Sequence, residues 1–97
     1  EIVTMKIAQA GTLESNDIVI TIAPGTPGSG VSIEVNSIVM AQYGEAIERT
    51  ITATLAEQQV SDVYVKAVDR GALDCTIQAR VLAALARAGW SMKESEA

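Results

Sequence analysis

Three stretches of period-two alternation, two longer runs at helical spacing and a core limited to aliphatic side chains predict an α+β fold. The expected form is a two-layer sandwich in the order β-β-α-β-α, with a small, mostly antiparallel sheet and two helices on one face. At 97 residues the chain is expected to make a single domain over 1–97, burying a little over ~60% of its unfolded surface. Phenylalanine is absent and aromatics are only 3%, so Val, Ile, Leu and Ala must fill the core, with Trp90, Tyr43 and Tyr64 as its largest pieces. So small a body leaves little room for a deep ligand cavity.

Residues 1–9 alternate briefly at Ile2, Met5 and Ile7 and are expected to lie extended or loosely docked. AGTLESND, Ala10 to Asp17, is a polar turn. After it Ile18, Ile20 and Ile22 face one way and Val19, Thr21 and Ala23 the other, which marks a half-buried strand. PGTPGSG, Pro24 to Gly30, forces the chain to turn and is long enough to be mobile. Val31, Ile33 and Val35 then alternate with Ser32, Glu34 and Asn36, giving a second strand expected to form a hairpin with the first.

Asn36 or Ser37 can cap the helix that follows. From Ile38 to about Gln59, Met40, Tyr43, Ile47, Ile51 and Leu55 recur at three- and four-residue spacing, an amphipathic pattern. Asp62 to Val68 alternates again, with Val63, Val65 and Ala67 on one face, before Asp69-Arg70-Gly71 turns the chain. Ala72 to Ala88 carries Ile77, Val81, Leu82 and Leu85 at helical spacing, with Asp74 as the expected N-cap and Gly89 as the stop. Residues 91–97 are polar and are expected to fray.

A formal charge of −5 disfavours nucleic acid and anionic membranes, both of which are held by Lys and Arg. It suits a protein that docks on larger, positively lined partners. No apolar run approaches the roughly 20 residues of a transmembrane helix, and no basic segment leads into an apolar signal core. The single cysteine, Cys75, cannot form an internal disulfide, so the expected address is the reducing cytoplasm. Cys75 also lacks a Cys or His companion at metal-binding spacing, so no metal site is expected. As a lone cysteine at a helix start it is expected to be a small core residue rather than a reactive thiol.

Ser15 stands between Glu14 and Asn16-Asp17. Two readings are open: a plain turn whose Ser, Asn and Asp bond to nearby backbone, or a hydroxyl on which chemistry is hung. Catalytic nucleophilicity is disfavoured, because histidine is absent and, although Lys6 and Lys66 offer a conceivable base, neither stands in a Ser-Lys motif. The glycine-rich loop at 25–30 is no phosphate cradle, since it runs into a strand and opens no helix. Glu14 and Asp17 read as solvated turn charges rather than an acid and base pair. Glu45, Glu48, Glu57, Asp62, Asp69 and Asp74 are spread around helix surfaces and turns, where an acidic docking face and an ordinary solvated surface read alike, and Arg70, Arg80 and Arg87 are too sparse for a basic face.

AGTLESND and DRGALDCTIQARVLAALARAG, Asp69 to Gly89, together resemble the acyl carrier protein of citrate lyase, the gamma subunit of that complex. NSIVMAQYGEAIERTITATL is similar to the family's central helix, so the resemblance runs from Met5 to about Ala88. Ser15 falls on the family's modified serine, while Asn16 stands where serine is commoner. The resemblance implies a covalent 2'-(5''-phosphoribosyl)-3'-dephospho-CoA group on Ser15, joined through a phosphodiester. Its thiol would carry acetyl and citryl thioesters as citrate is cleaved to acetate and oxaloacetate.

The same resemblance implies a non-catalytic subunit that serves the transferase (alpha) and lyase (beta) subunits. A prosthetic-group transferase would load Ser15, with Glu14 and Asp17 as candidate recognition points. Carriers of citramalate- or malonate-cleaving complexes share the motif in part. From a different class, the alternative is a structural adaptor whose serine is never modified.

Overall fold

A computed structural model describes residues 5–37 and 40–91, with only the backbone described at 40–42. Its elements are β1 (Ala8–Gly11), β2 (Ile18–Pro24), β3 (Ser32–Ser37), α1 (Met40–Glu57), β4 (Val63–Asp69) and α2 (Asp74–Arg87). The two-layer α+β architecture agrees with the alternation, with one more strand in front. Ala8 and Gln9, expected to lie extended or loosely docked, are extended and pair with β2, and Ala10 and Gly11, expected in the turn, continue that strand. The expected first residues of the central helix, Ile38 and Val39, and the expected frayed tail beyond Ser91 lie outside the described residues.

The sheet order is β1-β2-β4-β3, with β2 antiparallel to both neighbours and β3 parallel to β4. The hairpin expected between residues 18–23 and 31–36 therefore does not form, because β4 lies between them. Burial explains the insertion. Val63, Val65 and Ala67 are at most 2% exposed, whereas Ile33 and Val35 are half-buried and suit an edge. β3, α1 and β4 make a crossover unit, as two adjacent parallel strands require.

Residues 25–31 must then bridge two strands that flank β4, about 10 Å apart. Asp62, just ahead of β4, holds that bridge: its carbonyl accepts from the Gly25 N–H (2.7 Å) and its carboxylate from the Gly30 N–H (2.8 Å). Amide donation from Gly30, and next from Gly28, holds the Asp62 carboxyl below its ordinary range. The segment expected to be mobile is thus tied to the strand it crosses.

Ile18, Ile20 and Ile22 of β2 and Val63, Val65 and Ala67 of β4 meet Ile47, Ile51 and Leu55 of α1 and Ile77, Val81 and Leu85 of α2 in one cluster. Both helices cover that face, α2 over β1 and β2, α1 over β3. Each fully buried Ile or Leu contributes roughly 1.5–3 kcal/mol, so this aliphatic layer dominates stability. The tyrosines do not belong to it: Tyr43 is 53% and Tyr64 38% exposed. Trp90 is half-buried against the cluster, and its Nε1–H donates to the Gln58 carbonyl (3.2 Å).

Leu73, not Asp74, is the N-cap of α2; its side chain supplies no cap bond, and Asp74 instead places a carboxylate in the first turn, where the helix dipole favours it. Cys75 beside it is exposed rather than packed. At the other end Gly89, with φ 94°, closes the helix as expected. Its N–H donates to Ala86 and the Trp90 N–H to Leu85, the paired bonds of a Schellman motif.

Candidate functional site

Ser15 lies in residues 12–17, the connection between β1 and β2, and three sets of bonds fix that connection. Within it, the Asp17 N–H donates to the Glu14 carbonyl (3.2 Å) and the Glu14 N–H to Thr12 Oγ1 (3.2 Å), while Asn16 takes a left-handed φ of 66°. Across the sheet, the Asn16 N–H donates to the Arg70 carbonyl and the Arg70 N–H to the Asp17 carbonyl, both at 2.8 Å. These two bonds extend the ladder one step past the Ile18–Asp69 pair. The turn is therefore an outgrowth of the sheet rather than a free loop.

The third set converges on the Asp17 carboxylate. It accepts from Thr12 Oγ1 (2.6 Å), from the Ile18 N–H (2.7 Å), and from Arg80 on α2 through Nε (3.0 Å) and Nη2 (2.7 Å). Asp17 is buried, so the expectation of a solvated turn charge is overturned. The Arg80 fork first, and then the Thr12 hydroxyl, hold its carboxyl far below the ordinary carboxylate range. A two-point pair of this kind fixes direction as well as distance, so it locks the turn to the helix layer.

Asp69 does the same for the turn between β4 and α2. It is 2% exposed, and its carboxylate accepts from Ser37 Oγ (2.9 Å) and from the Gly71 and Ala72 N–H groups (3.0 Å each). It too had read as a surface charge. Gly11 completes the frame: with φ 108°, a Cβ there would sit 1.8 Å from the Ile18 carbonyl oxygen. Only glycine lets the two strands come so close at the mouth of the turn.

Within this frame Ser15 is exposed, and no hydrogen bond joins its hydroxyl to another described residue. Glu14 and Leu13 are exposed beside it, Leu13 to 58%. Of the two carboxylates flanking Ser15, then, one faces solvent and the other is spent on structure. Lys66 stands opposite Thr21, three ladder steps or about 10 Å from the Ile18–Asp69 end, out of reach as a base. The recess of about 240 Å³ between α1 and the β4–α2 turn is not lined by Ser15. What the arrangement can do is present a hydroxyl; among the described residues no base is bonded to it.

Sequence reasoning did not find the Asp17–Arg80 pair or the role of Asp69. The ion pair joins residues 63 apart, beyond the range of any local spacing rule. The signal available for Asp69 was its place two and three residues before Gly71 and Ala72, the geometry of an Asx-type turn.

Residues 5–88 match the family model described as the acyl carrier protein (ACP), malonate decarboxylase delta subunit (MdcD). The class is therefore that of acyl carrier subunits. Among curated proteins, the citrate lyase acyl carrier protein of Streptococcus uberis is 51% identical over 84 residues, covering 87% of this chain and 81% of that protein. That of Lacticaseibacillus casei is 54% identical over 81 residues, covering 84% and 78%. The chain belongs to the family of citrate lyase acyl carrier proteins, and its role is that of an acyl carrier. A chain in the crystal structure of a Pseudomonas malonate decarboxylase hetero-tetramer in complex with malonate shares the fold, with a TM-score of 0.76 over 89% of this chain and 87% of that one at 21% identity.

Proposed function

We propose that this chain is the non-catalytic carrier subunit of a citrate lyase complex and that Ser15 bears, through a phosphodiester, a phosphoribosyl-dephospho-CoA group. The observation that carries this reading is an exposed hydroxyl with no partner or base among the described residues, held on a turn pinned by three sets of bonds. Identities of 51% and 54% to citrate lyase carriers favour citrate over malonate or citramalate. When bound, the group supplies a terminal thiol for acetyl and citryl thioesters.

The residues present fit such a group. Ser15 offers the esterifiable oxygen, and Arg70, tied by its backbone to Asn16 and Asp17, has a buried Nε that finds no acceptor among the described residues. Asp17, Thr12 and Arg80 keep the turn in one shape, so the anchor point is fixed while whatever it carries is free to swing. Tethering makes each encounter with a partner's active site intramolecular, which raises the effective concentration at that site into the millimolar range for short flexible tethers. Transferase and lyase subunits would be the docking partners and a prosthetic-group transferase the loading enzyme, with Glu14 the side chain free for it to read. No described helix is long and apolar enough to cross a membrane, and the proposed place of work is the cytoplasm.

Intact-mass and peptide analysis of the protein isolated from its own host tests the reading. One phosphodiester-linked adduct on Ser15 is expected. A bare mass in an active, assembled complex would sink it.

A further inference from the structure

Arg70 differs from the other arginines that hold this end of the molecule. Arg80 is committed to Asp17, and Arg87 Nη1 donates to the Gln9 carbonyl (2.8 Å). Arg70 has neither kind of partner: no carboxylate among the described residues lies within 4.0 Å of its guanidinium, and its buried Nε–H donates to nothing described. Acids near it in the chain are already engaged or turned to water. Asp17 is taken by Arg80, Asp69 by Ser37 and two backbone amides, and Asp74 is exposed. A buried donor left unmade costs about 1–3 kcal/mol, more where the group is charged, so an unpaired guanidinium nitrogen calls for a reason.

The backbone supplies one. Arg70 is the residue whose N–H and C=O hold Asp17 and Asn16, so it stands directly across the ladder from the turn that carries Ser15. β4 ends at Asp69 and the chain bends at Arg70, so Arg70 leaves the strand at the same end of the sheet as the turn that carries Ser15. Resting on the carrier reading, we propose that Arg70 is a positioning residue for the prosthetic group. Its guanidinium donates to the non-bridging oxygens of the phosphodiester on Ser15, the side chain turning so that the Nε–H, sealed from solvent in the unloaded chain, meets an acceptor, and this fixes the direction in which the arm leaves the turn. A phosphodiester keeps one negative charge at neutral pH and two free oxygens, which suits the planar guanidinium fork better than a lysine ammonium.

The test compares the loaded and unloaded forms of the full chain, with loading verified by mass. In wild type, the Arg70 Nε–H resonance should shift on loading and its exchange with water should slow roughly ten-fold, the equivalent of one charge-assisted hydrogen bond. The phosphorus resonance of the loaded chain should move in Arg70→Gln and return only in part in Arg70→Lys. Circular dichroism would verify that both variants fold, and the wild-type comparison needs neither of them. A loaded wild-type chain whose Arg70 Nε–H is unchanged from the unloaded one overturns this inference and leaves the carrier reading standing. Protein from the host with no adduct on Ser15 overturns both.

Discussion

Replacing Asp17 with asparagine removes one charge and almost no volume, and its cost can be worked from the bonds it breaks. The carboxylate accepts from Thr12, Ile18 and both Arg80 nitrogens. An asparagine oxygen can keep the Ile18 amide and Arg80 Nε, and the Thr12 hydroxyl can rotate to accept from the new NH2. Arg80 Nη2 is then left facing a donor. Hydrogen bonds to charged groups are worth about 1.5–3 kcal/mol, and the Arg80 side chain is 36% exposed, so water offsets part of the loss. Asp17→Asn should therefore cost about 2 kcal/mol at pH 7, which for a domain of this length lowers Tm by roughly 8–16 °C.

Urea unfolding followed through Trp90, the single tryptophan, measures the cost. The pH dependence gives a second check. Because the folded Asp17 carboxyl is held below its ordinary value of 3.8, its contribution is complete above about pH 5 and is lost as pH falls through that value toward the folded one. The gap between wild type and Asp17→Asn should be flat from pH 7 to about 5 and narrow below. A variant within about 0.5 kcal/mol of wild type, or a gap that does not close in acid, would refute the account of the turn.

Three further outcomes are expected. Ser15→Ala should lose the adduct while unfolding within about 0.5 kcal/mol of wild type, as an exposed hydroxyl without partners allows; a large loss of stability would mean that the hydroxyl is structural. Gly11→Ala forces a Cβ to 1.8 Å from the Ile18 carbonyl at a φ of 108°, so it should cost at least about 3 kcal/mol in the same urea assay and expose the β1 amides to hydrogen exchange. Gln59 ends α1 at a φ of 60°, between bonds from its own N–H to Ala56 and from the Val60 N–H to Leu55. Gln59→Gly should raise stability by roughly 0.5–1 kcal/mol, since glycine takes that conformation without strain, and an unchanged or lower midpoint would contradict the capping geometry.

Alternation in the sequence was enough to say which side chains of β2 and β4 face inward, because period two is a property of the strand itself. It was silent on neighbours. Nothing local distinguishes Ile33 and Val35 beside β2 from the same residues beside β4, and the choice falls to β4, whose Val63, Val65 and Ala67 are nearly sealed and need a strand on each side. The same limit hid the charges. Asp17 and Asp69 look like any turn acids until α2 brings Arg80 across 63 residues and β3 brings Ser37 across 32. Ser15 and Glu14 were legible as an outward turn because exposure at a short polar connection follows from composition alone.

That division changes what the AGTLESND segment means. Ala10 is buried, Gly11 is required by the approach of Ile18, Thr12 and Asp17 bond to one another, and Asn16 holds a left-handed turn against Arg70. Each of these residues has a structural task, and each would be needed even if the turn carried nothing. Only Leu13, Glu14 and Ser15 point their side chains outward without such a task. If Ser15 is loaded as proposed, the loading enzyme would distinguish this serine from others through the fixed shape of the turn together with one apolar and one acidic neighbour. Recognition of that kind predicts that Asp17→Asn, at a side chain buried beneath the turn, slows loading of Ser15 by loosening the shape, whereas Glu14→Gln slows it with the fold unchanged. Loading rates for the two variants, set beside their unfolding midpoints, separate shape from contact: equal rates for Asp17→Asn and wild type would mean that the turn's rigidity has no part in the choice of serine.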